Sequence, residues 1–144
     1  MIAVDSNILV HAHRADSSWF APASAAVGSL AAGRQAWAIP WPCVHEFLAI
    51  VTHPRIFRTP TPLERACNQI DAWMESPSLV LIGEGPGYWA VLRELITGSR
   101  IDGPRVHDAR IAALCQTNGV SVLYTADRDF SRFPSLVTRN PLVP

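Results

Sequence analysis

The sequence predicts an α/β fold in three layers, with helices on both faces of a central, mostly parallel sheet of four to five strands. Three observations carry that expectation. Apolar segments of strand length alternate with longer segments of helical period along all 144 residues. Proline, glycine and capping residues punctuate the junctions between them. No repeat, linker or low-complexity tract interrupts the alternation, so residues 1–144 are expected to form a single domain.

The first strand is read over Ile2 to Val4. Asp5, Ser6 and Asn7 follow it and can cap a helix from about Ile8 to Arg14. Ser17 or Ser18 opens an Ala-rich helix that reaches Ala32, with Gly33 as its stop, and Ala36 to Ile39 forms a second strand. Pro42 suits the first turn of a helix that carries Glu46 and runs through Thr52, where Pro54 ends it. His53 to Pro62 reads as a loop with Arg55 and Arg58 around Phe57. Thr61-Pro62-Leu63-Glu64 has the form of a capping box and opens a helix to about Glu75. Leu79 to Ile82 is the third strand, Pro86 to Thr97 a helix ending at Gly98, and Ile101 to Arg105 a turn. Val106 to Asn118 is helical with Gly119 as its stop, and Val120 to Tyr124 is the fourth strand. Thr125-Ala126-Asp127 leads into a short helical turn through Phe133, and a fifth strand falls near Leu136 to Thr138.

Composition excludes several classes. The longest apolar runs fall well short of the roughly 18 residues a bilayer span needs, and Met1 to Val4 meets an acid at Asp5 without a basic or long apolar leader. A cytoplasmic location without membrane contact is therefore expected. Cys43, Cys67 and Cys115 have no CxxC spacing, which argues against a disulfide framework or a zinc knuckle and for buried thiols. Net charge is zero, yet all twelve basic residues are Arg and none is Lys. Should four acids hold metal, the remaining surface carries a basic excess of about four, in the residue type best shaped to grip phosphate.

The acids stand out by position. At 100° per residue, Asp108 shares its direction with Ile111, Ala112 and Cys115, while Arg110 and Thr117 point the opposite way. A carboxylate on an apolar stripe is costly unless paired, protonated or bound to a cation. A helix-dipole role in the first turn is the simpler alternative. Glu46 lies at the edge of its own apolar stripe, beside His53, and on that ground alone reads equally as a solvated residue. Asp5 and Asp127 each follow a strand and each could be an ordinary helix cap, while Asp129 could favour the dipole of the next turn. Their combination says more, because ligands of such folds bind beyond the carboxyl ends of the strands. Clustered carboxylates stay ionised only with positive charge among them, and oxygen donors of this kind suit Mg²⁺ or Mn²⁺. Hydroxyls at Ser6 and Thr125 could orient ligands or water beside them.

Other motifs carry less. His11 and His13 would diverge on a helix and no HxxxH pair occurs, so a zinc site is disfavoured. His107 is a minor candidate for substrate contact. Gly83, Gly85 and Gly87 lie between a strand and a helix but lack the spacing of a nucleotide-binding loop. The five Trp residues are read as core or dimer surface rather than base-stacking groups.

With those residues in hand, the chain resembles the PIN-domain family, in particular the VapC toxins of bacterial toxin-antitoxin pairs. The likeness runs the full length. It rests on Ile-Ala-Val-Asp-Ser-Asn at 2 to 7, on Glu46 in the helix after the second strand, on Val-His-Asp-Ala-Arg-Ile-Ala-Ala-Leu at 106 to 114, and on Tyr-Thr-Ala-Asp-Arg-Asp-Phe at 124 to 130. Ser6 stands where the family more often has Thr, which keeps the hydroxyl. The resemblance implies a PIN-like α/β/α domain that gathers Asp5, Glu46, Asp108 and Asp127 as catalytic acids, with Asp5, Asp108 and Asp127 on one or two Mg²⁺ or Mn²⁺ ions. Ser6, Asn7, Thr125 and Asp129 would be accessory. It further implies endonucleolytic cleavage of RNA, in which a metal-activated water attacks phosphorus in line and a metal stabilises the leaving oxygen. A cognate antitoxin, a homodimer and a toxin-antitoxin hetero-oligomer are the implied partners. Arg55, Arg58, Arg100 and Arg105 are the candidates for RNA contact.

Two rival classes share part of this pattern. Signalling receivers and HAD-type phosphohydrolases also end strands on aspartates, but both normally place a Lys by the acids, and this chain has none. A non-catalytic PIN-like module that binds RNA or protein would be favoured by an incomplete acid set, and all four acids are present.

Overall fold

The computed structural model describes residues 1–144. Its core is a five-stranded sheet in the order β3-β2-β1-β4-β5, formed by β1 (Ile2–Val4), β2 (Trp37–Pro40), β3 (Leu79–Ile82), β4 (Val122–Tyr124) and β5 (Thr138–Arg139). Every neighbouring pair is parallel, which is stricter than the mostly parallel sheet expected. The central strand β1 pairs Ile2 with Trp37 on one side and with Val122 on the other. Parallel pairing forces a crossover after each strand, and here the crossovers are largely helical.

The helices are α1 (Ser6–His13), α2 (Phe20–Ala32), α3 (Trp41–Val51), α4 (Leu63–Met74), α5 (Tyr88–Gly98) and α6 (Val106–Thr117). α1 packs on α2 and α3, α3 packs on α4, and α5 packs on α6. β2 touches both α3 and α6, one from each group, which gives the three-layer α/β/α arrangement. Trp37, Phe47, Phe130, Phe133, Ile8 and Leu114 are among the largest fully buried side chains. Phe47 meets Trp73 edge-on at 5.1 Å between ring centroids, a geometry that adds about 1 kcal/mol to plain burial. No helix is long and apolar enough to cross a membrane.

Several expectations shift in detail. α1 begins at Ser6, two residues early, because the Asp5 side chain accepts from the Ser6 N–H and nucleates the first turn there. β4 starts at Val122 rather than Val120, and the fifth strand lies at Thr138–Arg139, two residues later than its apolar pattern suggested. Pairing decides both, since β5 aligns Thr138 with Leu123 and Arg139 with Tyr124. Gly119 takes φ 71° and ends α6 in the left-handed conformation, whereas Gly33 ends α2 extended, at φ −78°. Of the three cysteines, Cys43 and Cys115 are buried and Cys67 is exposed.

The capping box at Thr61 does not form. α4 is preceded by Pro62 with no side-chain cap, and Thr61 turns its hydroxyl the other way. There it lies 3.1 Å from His13 Nε2 and accepts from Arg14 Nη1 at 3.3 Å, tying the loop to the end of α1. His13 wins this contest because its other nitrogen is held 3.1 Å from Gln69 on α4. The loop also stacks differently from its expected form: Arg14, not Arg55 or Arg58, sits over Phe57, 4.0 Å from the ring centre. Thr61→Val keeps the shape but strips His13 of a hydrogen-bond partner and Arg14 of an acceptor. We expect a loss of about 1 kcal/mol, read as a fall of about 3 °C in thermal midpoint.

Candidate active site

The topology brings the chain's acids to one edge of the sheet. Asp5 directly follows β1, Asp127 comes three residues after β4, α3 begins where β2 ends, and Asp108 lies in the first turn of α6. Together they enclose a cavity of about 340 Å³. Asp5, Ser6 and Asn7 form its floor side in sequence order; Pro42, His45, Glu46 and Ala49 come from α3, His107, Asp108, Arg110 and Ile111 from α6, and Asp127 and Phe130 from the segment after β4. The four acids singled out from the sequence all line it.

Asp5 is the buried anchor, only 6% exposed. Its Oδ1 accepts from the Ser6 N–H at 2.8 Å and faces the Cys43 thiol at 3.5 Å. Its Oδ2 accepts from Asn7 Nδ2 at 3.0 Å and from the Thr125 hydroxyl at 2.7 Å. Burial pushes the carboxyl above its usual range, against the pull of these donors. The same burial, with Asp5 beside it, raises the Cys43 thiol far above the ordinary range, so it stands as a neutral donor.

Thr125 and Asn7 carry Asp5's position outward. Thr125 Oγ1 accepts from the Asp127 N–H at 3.0 Å, and Asn7 Oδ1 accepts from the Ala126 N–H at 3.1 Å. Residues 125–127 are thus tied to residues 5–7 through side chains. Asp127 Oδ1 in turn accepts from the Asp129 N–H at 2.8 Å and caps the 3-10 turn Arg128–Arg132. Asp5 and Asp127 are therefore caps that also line the cavity. Ser6 and Asn7 line the cavity, and Thr125 reaches it only through its bond to Asp5.

The acids whose oxygens lie together differ from the expected trio in one member. Asp108, Asp127 and Asp129 each offer a carboxylate oxygen, all within 4.8 Å of one another. Asp129, expected only as an accessory acid, is in this group, while Asp5 lies behind with both oxygens engaged. Desolvation first, then the charges of Asp127, Asp129, Asp5 and Glu46, raise Asp108 to about 6. A carboxyl pushed up by its neighbours' charges marks a site short of positive charge, and three hard oxygen donors fit Mg²⁺ or Mn²⁺. Glu46 is exposed on the cavity wall, as a residue at the edge of its stripe should be.

The apolar stripe on α6 proves broader than a stripe: Ala109 and Ile111 through Cys115 are all buried, so the helix is enclosed nearly all round beyond its first turn. Asp108 is half-buried at the end where that enclosure opens. Arg110, expected to point away, lines the same cavity. Its length explains this, since its guanidinium reaches Glu84 Oε1 at 2.6 Å from Nε and 2.5 Å from Nη2. Arg55, Arg58, Arg100 and Arg105 are exposed and none lines the cavity. His45 also lines the cavity without having been singled out from the sequence; its place one residue before Glu46 was the available signal. His107 does line the cavity.

The comparisons with known proteins point one way. The model of the PIN domain matches residues 2–136. Ribonuclease VapC43 of Mycobacterium tuberculosis is 33% identical over 142 residues, which is 99% of this chain and 96% of the relative. Ribonuclease VapC48 of the same organism is 31% identical, across 95% of this chain and 94% of its own. Among solved structures, VapBC2 from Rickettsia felis, bound to a DNA fragment from its promoter, superimposes with a TM-score of 0.71 at 21% identity, over 97% of this chain and 98% of that one. Mycobacterium tuberculosis VapC20, described as a toxin that cleaves the sarcin-ricin loop, gives 0.66 at 17% identity, over 91% and 93%.

Proposed function

The chain belongs to the PIN-domain family, and from that premise we propose that it is an endoribonuclease that cleaves RNA phosphodiesters with Mg²⁺ or Mn²⁺ and serves as the toxin of a type II toxin-antitoxin pair. We read residues 1–144 as one domain acting in the cytoplasm, with a cognate antitoxin as partner. The observation that carries the reading is the convergence of Asp108, Asp127 and Asp129 within 4.8 Å, beside the buried Asp5 and the wall residue Glu46. Relatives at 33% and 31% identity across nearly the whole chain bear the name ribonuclease, which supports the choice of substrate.

In this reading Asp108, Asp127 and Asp129 would hold the cation, with Asp5 and Glu46 completing the negative field around it. Bound there, it would supply activation of water and charge stabilisation at the leaving oxygen. Thr125 and Asn7 fix the backbone of Ala126 and Asp127, so that the Asp127 carboxylate keeps its direction. Asp108 must be unprotonated to take part. Its carboxyl titrates near 6, so cleavage should fall as pH drops through about 6. A cation competes with that proton, and raising Mg²⁺ should move the fall to lower pH.

The test is cleavage of total RNA and a tRNA panel with Mg²⁺ or Mn²⁺ against EDTA, across pH 5 to 8 (roughly the window on either side of Asp108). We expect loss of cleavage in EDTA and a low-pH limb that shifts with Mg²⁺. RNA bound but never cleaved would return the non-catalytic module, and cleavage indifferent to EDTA would overturn the cation role.

A further inference from the structure

We infer that Trp41, His45 and Arg110 form a seat for one nucleotide of a single-stranded RNA beside the acid cavity, with the base on the indole and a phosphate on the guanidinium. The inference rests on the RNA-cleaving reading above and adds where the strand lies. The wall of this seat is the segment after β3, whose glycines fit no nucleotide-binding loop by spacing.

Trp41 opens α3 and is 39% exposed, while Trp37 and Trp73 are buried in the core. It leans on the backbone after β3, its Cδ1 3.4 Å from where a Cβ on Gly83 would stand. One helical turn on, His45 stacks toward it with ring centroids 6.2 Å apart and planes 32° apart. His45 and Pro42 also line the acid cavity, so the two rings form a platform that runs to its mouth. Base faces stack on such aromatic platforms with little regard for sequence.

Phosphate meets a different problem, because the cavity carries four acids. Arg110 is the only Arg or Lys among its lining residues. Next to Gly83, Glu84 takes Nε and Nη2 of that guanidinium on a single oxygen. Sharing one acceptor leaves part of the donor fork for a second anion. Arg110 and Glu84 are each partly exposed, at 35% and 40%, so a strand can reach the pair from solvent. Glu84 therefore holds Arg110 at the rim, away from the carboxylates that would otherwise capture it.

The experiment has two readouts. In steady-state cleavage of a short single-stranded RNA, Trp41→Ala should raise KM about tenfold with little change in kcat, and Trp41→Phe should restore most of the loss. Arg110→Gln, made together with Glu84→Gln so that no carboxylate is left unpaired, should raise KM and reduce the slope of log KM against log salt by about 0.7. In an Asp108→Asn background, which stops turnover, adding the same RNA should quench tryptophan fluorescence, and the further change Trp41→Phe should remove that quench. Unchanged KM and quench in the Trp41 variants would overturn the seat while leaving the ribonuclease reading intact. Wild-type protein that does not cleave RNA would overturn the reading beneath it. Trp41→Ala that leaves KM unchanged but dissociates a dimer would give this face to a second copy of the chain, and would also overturn the proposal.

Discussion

Asp108→Asn is expected to lower RNA cleavage by about a thousandfold or more, while making the cation-free protein more stable. The two effects share one cause. Asp108 faces Asp127, Asp129, Asp5 and Glu46 across a partly desolvated cavity, and its carboxyl rises to about 6. A group whose folded-state pKa lies above its unfolded value binds protons more readily when folded. Without cation, ionised Asp108 therefore destabilises the fold above pH 6, and protonation between about 6 and 4 relieves that cost. The amide makes the relief permanent at every pH. Because the group is only half-buried, solvent discounts the gain to about 1 kcal/mol, or about 3 °C in thermal midpoint. Scanning calorimetry in EDTA from pH 8 down to about pH 4 checks it: the variant should exceed wild type at pH 8, by about half as much midway, and converge on it near pH 4. With Mg²⁺ the order should reverse, since only wild type gains binding energy from the ion. A variant that cleaves normally would remove Asp108 from the cation site.

Asp5→Ala should act in the opposite sense on stability, with a loss of about 3 kcal/mol, or about 10 °C. Asp5 accepts from the Ser6 N–H, Asn7 Nδ2 and the Thr125 hydroxyl, and the substitution leaves these without their acceptor and α1 without its cap. Cleavage should vanish too, because Thr125 and Asn7 lose the group that orients them toward residues 126 and 127. Asp5→Asn should cost less stability, about 1 kcal/mol, since its carbonyl still serves one side while its amide confronts that of Asn7. Thr125→Ala combined with Asp5→Ala should cost clearly less than the sum of the two, as partners in one network do. Full additivity in chemical denaturation would show the Asp5–Thr125 contact to be idle.

The fold was legible because its signals are local and agree with one another. Pro42 in the first turn of α3, Gly119 after α6 and the short apolar runs of β1 to β4 each place an element without reference to the others. Where a distant partner decides, the sequence misleads. Thr61 looks like a helix cap, but His13 and Arg14 claim its hydroxyl. Thr138–Arg139 becomes a strand because Leu123 and Tyr124 offer it a register, not because it is apolar. In the candidate site, Asp108 and the strand-end acids could be picked out by position, since a helix period and a strand end are both visible in one dimension. The grouping of Asp129 with Asp108 and Asp127 could not, because it depends on a 3-10 turn folding the Asp129 carboxylate back. Arg110 was misread for the reverse reason. Angular position on a helix locates Cβ, whereas a long side chain with a partner on another element ends elsewhere.

The bond between Asp5 and Thr125 spans 120 positions of the chain. On a translating ribosome that adds about 5–20 residues per second, roughly ten seconds pass between the making of one partner and the other. Through that interval Asp5 has only its near donors and lacks the Thr125 hydroxyl that completes them. Asp108 arrives late, and Asp127 and Asp129 later still, so the proposed cleaving centre cannot assemble until synthesis has passed Asp129. A chain whose proposed target is RNA thus spends that interval, surrounded by message and ribosome, without the acids that would cut either.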